Sequence, residues 1–403
     1  MKRARTLMSR GLYWAIALLF LGLTTSACAI PQVNAENRLY LDVSLEYLDE
    51  FQMPKQTFAD MPMGGLSAIA YDPTGDRIYV LSDDRGSGAP SRFYTMQMVV
   101  DQTNPDQPQI DTVAIDSVTV LRDEFSERLL AGTVDPEGLA ISPQQTVIIS
   151  SEGVARDGIA PFIDEFDIAT GKRLRSLPIP ERYVPQTIEG APSGIQDNRG
   201  FEALTLSAAG TGVGRIEPFR VFAGLEEPLQ QDLPEDPTDG DTLEPDTSSP
   251  ASFMPGRIAH YVVSDSQSTL IAEHLYPIEP KPFGAVNNGL AELLSIDQAG
   301  HFLSLERSFG VMGFGAKIFQ VAIANATDTS QINRFDTNVN TIQPVYKQLE
   351  LDLLDLDIDL DNLEGMTLGP RLSDGSKSLI LVSDDNFNEN QITQWLLFRI
   401  LGM

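Results

Sequence analysis

Among its 403 residues the sequence has one cysteine, Cys28, and three histidines. A single thiol forbids an internal disulfide and any multi-cysteine metal centre. Three histidines leave no basis for a His-rich zinc centre or a histidine-based phosphatase. Cations are also scarce: Lys and Arg number 28 against 57 Asp and Glu, a formal net charge of −29. Such a field repels a phosphate backbone, so nucleic acid is excluded as a partner, whereas cations and small ligands are not. There is no Gly-x-Ser-x-Gly elbow of an α/β-hydrolase, no phosphate loop and no dinucleotide fingerprint. What is present is apolar mass, 42% of residues, enough for a sizeable core. The length allows two or three average domains or one large all-β domain.

The chain begins with a segment that reads as an address. Lys2, Arg3, Arg5 and Arg10 precede an apolar run from Leu12 to Leu23, which is followed by Thr24-Thr25-Ser26-Ala27-Cys28-Ala29. This order predicts a secretory signal over 1–29. The run is shorter than the about 20 residues of a membrane span. Two processing sites overlap: small-residue cleavage after Ala29, or a lipobox that would make Cys28 the lipidated first residue. The expected location is therefore periplasmic, secreted or lipid-anchored in a bacterial envelope. Any membrane contact would come through that anchor alone.

Beyond this segment, one pattern recurs. Gly64 to Asp72 and Arg77 to Asp84 are apolar strands around a Pro73-Thr74-Gly75-Asp76 turn. Asp135 to Ser142 and Thr146 to Gly153 repeat the form, and similar units start at Gly200, Gly289 and Asn362. Each is a hairpin of two short apolar runs ending in acid. More polar strands follow, such as Arg92 to Met98, Phe162 to Ile168 and Lys317 to Ile323, as expected for outer, half-exposed positions. The anchors Ser67, Glu137, Glu202, Glu292 and Glu364 are 70, 65, 90 and 72 residues apart. Radial repetition of four-stranded sheets predicts an all-β β-propeller over 38–401, with five clear blades and room for a sixth in the longest interval. Leu39 to Leu48 and Gln391 to Leu401 are predicted to pair and close the last blade. Glu226 to Gly256 holds nine acids, six prolines and no Lys or Arg, so it is predicted to be a disordered acidic insert.

The acids repeat with the blades. Glu137, Glu202, Glu292 and Glu364 recur at the start of the innermost strand. Asp83, Glu152, Glu306 and Asp384 recur at the end of the next one. In a hairpin these two places lie at the same sheet edge, so all should ring one mouth of the axial channel. Crowded carboxylates demand a cation, and Ca²⁺ suits several carboxylates together. Glu152, Glu202, Glu292, Glu364, Asp384 and Asp83 are thus candidate ligands. Glu137 and Glu306, with Arg307, are candidate catalytic groups. Arg85, Arg199 and Asn386 are candidate anion-binding residues. The same acids could equally serve as blade architecture, accepting backbone N–H bonds. Glu350 to Asp361 alternates acid with Leu and Ile but fails as a calcium loop, because Asn362 stands at the glycine position and Leu368 at that of the bidentate Glu. His260, His274 and His301 stand singly among strand-like residues and read as packed or surface side chains.

Taken together, Asp135-Pro136-Glu137-Gly138-Leu139, Asn198-Arg199-Gly200-Phe201-Glu202-Ala203-Leu204, Leu305-Glu306-Arg307-Ser308-Phe309, Asn362-Leu363-Glu364-Gly365-Met366 and Val382-Ser383-Asp384-Asp385-Asn386-Phe387 resemble the "esterase-like activity of phytase" family. The resemblance spans about Gly64 to Ile400 and departs at Glu202-Ala203, where the other units favour Glu-Gly. It implies an exported propeller acting on phosphate or other esters. Two functions remain open on these residues: a Ca²⁺-assisted hydrolase of a small anionic ester, or a non-catalytic propeller of the envelope that binds a ligand or cation.

Overall fold

The computed structural model describes residues 39–207, 218–233, 253–335 and 339–402. The candidate signal, with Cys28, lies outside them, as do residues 234–252 of the insert. In chain order the strands are β1 (Ser44–Met53), a small hairpin β2 (Gln56–Phe58) and β3 (Met61–Met63), then blade 1: β4 (Leu66–Asp72), β5 (Arg77–Ser82), β6 (Arg92–Asp101) and β7 (Gln109–Val120). Blade 2 is β8 (Pro136–Ile141), β9 (Thr146–Ser151), β10 (Phe162–Asp167) and β11 (Arg173–Ser176). A second small hairpin, β12 (Gln186–Ile188) and β13 (Ala191–Ser193), precedes blade 3: β14 (Phe201–Leu206), β15 (Phe219–Leu225), β16 (Met254–Val263) and β17 (Ser268–Ile278). Blade 4 is β18 (Ala285–Ser295), β19 (His301–Gly310), β20 (Gly313–Ala322) and β21 (Tyr346–Asp352). Blade 5 is β22 (Asn362–Leu368), β23 (Lys377–Asp384) and β24 (Thr393–Leu401), completed by β1.

The structure is thus a five-bladed, all-β propeller, and the described residues contain no sixth blade. The 90-residue interval is filled instead by the insert, which leaves blade 3 between β15 and β16. The insert is narrower than its composition suggests. Glu226 to Leu233 continue from β15, and Glu226 and Leu229 are fully buried. Closure runs as anticipated, though β1 starts later: Ser44 pairs with Leu401 and Met53 with Thr393, antiparallel. Pairing of the two ends removes the edges that an open ring would expose.

Burial explains the strand patterns. Inner strands such as β4 are covered on both faces and read as continuous apolar runs, whereas β7 alternates buried and exposed residues. Five apolar clusters lie one between each pair of neighbouring blades. For example, Trp395, Leu397 and Val382 of blade 5 meet Ile69, Val80 and Tyr94 of blade 1. Each large side chain so buried contributes about 1.5–3 kcal/mol. The innermost strands touch in the closed order β4, β8, β14, β18, β22 and back to β4. At the axis there is little room: a Cβ on Gly138 would stand 2.6 Å from both the Leu204 Cβ and the Glu202 carbonyl oxygen. The acid–Leu alternation after Glu350 becomes β21 and a short 3₁₀ turn, Leu353–Leu356, with Leu353 buried. Among the described residues no helix is long and apolar enough to cross a membrane.

Candidate functional site: an acidic axial mouth

A β-bulge builds the mouth. In every blade the register between the first two strands slips by one residue near the channel end, across Leu66/Ala68, Pro136/Gly138, Phe201/Ala203, Leu290/Glu292 and Leu363/Gly365. The extra residue escapes the ladder, and a bulge of this kind re-aims its side chain. The five bulged residues are Ser67, Glu137, Glu202, Ala291 and Glu364. Opposite them, at the end of the second strand, the equivalent positions are Asp83, Glu152, Glu226, Arg307 and Asp384. They are paired by main-chain contacts to Gly65, Asp135, Gly200, Gly289 and Asn362.

A cavity of about 530 Å³ opens here, and its walls include Asp83, Glu137, Glu202, Glu364, Asp384 and the predicted Arg85, Arg199, Arg307 and Asn386. Glu152 lies buried just behind, beside Asp135 and Glu137. The structure therefore brings together ten of the twelve predicted site residues within the described chain. Two are elsewhere. Glu292 stands one residue past the blade 4 bulge. It turns away from the mouth and accepts backbone N–H bonds from Leu204 (3.0 Å) and Leu293 (2.9 Å), so its role is to hold strands. Glu306 precedes Arg307 on β19 and so points to the opposite sheet face. There it accepts from the Tyr276 hydroxyl (2.8 Å), the Glu279 N–H (3.0 Å) and the Lys347 ammonium (2.6 Å). Glu306 therefore lies outside the mouth, at the edge of a second cavity, and Arg307 is the blade 4 member of the ring.

The residues that sequence reasoning missed are Asp135 and Glu226. Asp135 stood in the Asp-Pro-Glu-Gly motif but had no counterpart in the other units. Glu226 was hidden at the start of the acid-rich insert, where one acid among nine carries no signal. The spacing from Glu202 would have marked it, because Glu137 to Glu152 and Glu364 to Asp384 show the same hairpin relation.

The mouth thus gathers eight carboxyl groups and three guanidinium groups. Arg307 is buried and reaches Glu364 at 3.0 Å, Glu226 at 3.3 Å and Glu202 at 3.4 Å. Arg199 bonds Glu226 (3.1 Å) and Glu227 (3.0 Å), and Arg85 pairs with Asp135. Three cations do not balance eight acids. Burial, then like charge from their neighbours, pushes Asp83, Glu137, Glu152, Glu202 and Asp384 well above the ordinary carboxylate range. Glu364 rises to about 7, mainly by burial, with Arg307 opposing. One buried oxygen on each of Asp83, Asp135 and Glu202 has no donor among the described residues. A divalent cation with a preference for oxygen fits this donor set. Ligand atoms of Asp135, Glu137 and Glu152 lie within 4.8 Å of one another, and so do those of Glu152, Glu202 and Glu226. These clusters could hold a metal ion, with Glu152 common to both.

A family model described as Phytase-like, esterase-like activity of phytase, matches residues 61–387, most of the chain. The chain belongs to this family. The matched span covers every mouth residue described above. No curated protein matches significantly. Among solved structures, a phytase-like chain such as this one is similar to the Dos1 propeller (TM-score 0.30, 9% identity, 88% of this chain and 95% of that one). It is also similar to a GH32 β-fructofuranosidase of Bombyx mori (0.35, 11%, 88% and 62%) and to hydrazine synthase of Kuenenia stuttgartiensis (0.33, 11%, 82% and 58%). The chain spans less than two thirds of the last two.

Proposed function

We propose that the mouth is the site of a Ca²⁺-assisted hydrolase of small phosphate or related esters, in an exported protein. One observation carries this reading: buried carboxylates, with one unpartnered oxygen on each of Asp135 and Glu202, converge on Glu152 from three strands while three arginines line the same opening. Asp135, Glu137, Glu152, Glu202 and Glu226 would hold the cation, with Asp83 and Asp384 close by. When bound, Ca²⁺ would supply Lewis-acid polarisation of a phosphoryl oxygen and reverse the local sign of the field. Arg85, Arg199 and Arg307 would bind the remaining anionic oxygens, since guanidinium matches phosphate bidentately. Glu364 lies outside both three-residue acid groups, and its carboxyl bonds Arg307 and the Asn362 amide (2.8 Å). It would take a proton from the attacking water as the new P–O bond forms, while the departing alkoxide, on the opposite side of the phosphorus, would take its proton from solvent as the ester P–O bond breaks. The basic and apolar stretch over residues 2–23 supports export, with Cys28 as the candidate lipid anchor.

A chromogenic phosphate monoester tests the reading. Turnover should vanish in excess chelator and return with Ca²⁺, and Glu364→Gln should lower kcat far more than KM. Turnover undiminished by chelator would contradict the proposal. One observation favours a second reading, a binding propeller without turnover: Arg307 already neutralises part of the ring through Glu202, Glu226 and Glu364. Tight cation uptake with no turnover on any ester would select it.

A further inference from the structure

The first three strands of blade 4, β18, β19 and β20, are long, with 11, 10 and 10 residues. Its tip is apolar. Phe283, Met312 and Val311 are exposed by 104%, 89% and 87%. The two tip loops are tied together, with the Val311 N–H donating to the Gly284 carbonyl at 3.1 Å. Below them lies a second cavity of about 570 Å³, with Phe283, Pro282, Met312 and Leu354 on its apolar side and Glu279, Glu306, Lys317 and Asp352 at its polar edge. Phe309 and Phe314 line both this cavity and the acidic mouth. They are cross-strand partners with ring centroids 4.7 Å apart. The Phe309 N–H donates to the Asn287 side chain at 2.9 Å, and Asn287 itself belongs to the mouth. An acidic cavity and a mostly apolar one therefore meet across one aromatic pair.

We propose that the ligand is amphiphilic: a phosphate ester whose head enters the acidic mouth and whose alkyl or aryl group crosses Phe309 and Phe314 into the blade 4 cavity. This rests on the phosphoester reading above and narrows its substrate class. A highly charged, fully polar phosphate would leave the apolar half empty. A hydrocarbon group would cover it and shield Phe283 and Met312 from water.

The test is calorimetric titration of the Ca²⁺-loaded protein with methyl, butyl and octyl phosphate, below the aggregation concentration of the last. The expected result is about a three- to fourfold gain in affinity per methylene, the transfer value for a CH₂ leaving water, over at least the first four carbons. In the Phe283→Ser/Met312→Ser variant, whose changes lie at exposed positions, the octyl-to-methyl affinity ratio should fall about tenfold. Binding of methyl phosphate with no gain for octyl overturns the inference and leaves the phosphoester reading intact. Octanol binding as tightly as octyl phosphate overturns both. If the variant keeps the wild-type ratio but loses binding to neutral vesicles or to a second copy, the tip is a docking surface and the inference fails.

Discussion

Replacing Glu364 by Gln removes one titrating proton and little else, because the amide oxygen still accepts from Arg307 and Asn362. The carboxyl has a raised folded-state pKa of about 7 against an ordinary value of 4.5. The folded state thus binds this proton more tightly than the unfolded state does. Its stabilising effect is complete below pH 4.5 and is lost as pH rises through 7. A difference of this size corresponds to about 3 kcal/mol across the window. Denaturant unfolding of chelator-treated protein, followed through the buried Trp395, should therefore show wild type losing about 3 kcal/mol more than Glu364→Gln between pH 4.5 and pH 7. Other ring acids tilt both curves, so the difference between them is the quantity that matters. Parallel curves would refute the argument that burial in this mouth raises the pKa of the Glu364 carboxyl.

Four further outcomes are expected. Arg307→Gln leaves Glu202, Glu226 and Glu364 without their shared cation and should cost about 3–5 kcal/mol in chelator, by urea unfolding, with part recovered in Ca²⁺. Glu306→Gln should lower stability by about 1–3 kcal/mol through Tyr276 and Lys347, while cation affinity measured by calorimetry stays unchanged. His260, buried and stacked on Phe222 at 4.1 Å, is held down to about pKa 4, mainly by burial. Its contribution is present above pH 6.5 and lost as pH falls towards 4, so His260→Phe should flatten the acid limb of the stability profile. Gly138→Ala should destabilise the fold measurably, because its Cβ would stand 2.6 Å from the Leu204 Cβ at the crowded axis.

The blade repeat was legible because each unit carries its own turn chemistry and its own apolar pair of strands. Glu137, Glu202 and Glu364 were legible for the same reason, since each precedes a small residue that the crowded axis requires. Blade 4 misled because register is a one-residue matter in a strand. Its bulge falls on Ala291, which sends Glu292 into the wall, and alternation along β19 gives the mouth Arg307 and the blade interior Glu306. Glu226 escaped notice because composition averaged over a 31-residue insert conceals a single buried acid that belongs to the preceding strand. The number of blades was ambiguous for the same reason: an insert and a blade both lengthen an interval, and only strand pairing separates them.

The central claim is that these acids converge to hold a cation. Calorimetric titration of Ca²⁺ into chelator-treated protein, with Glu152→Gln run beside it, tests that most directly. Saturable uptake that raises the melting temperature of wild type, and is lost in Glu152→Gln, is the predicted result. Absence of uptake by wild type, or uptake unchanged in Glu152→Gln, would contradict the account.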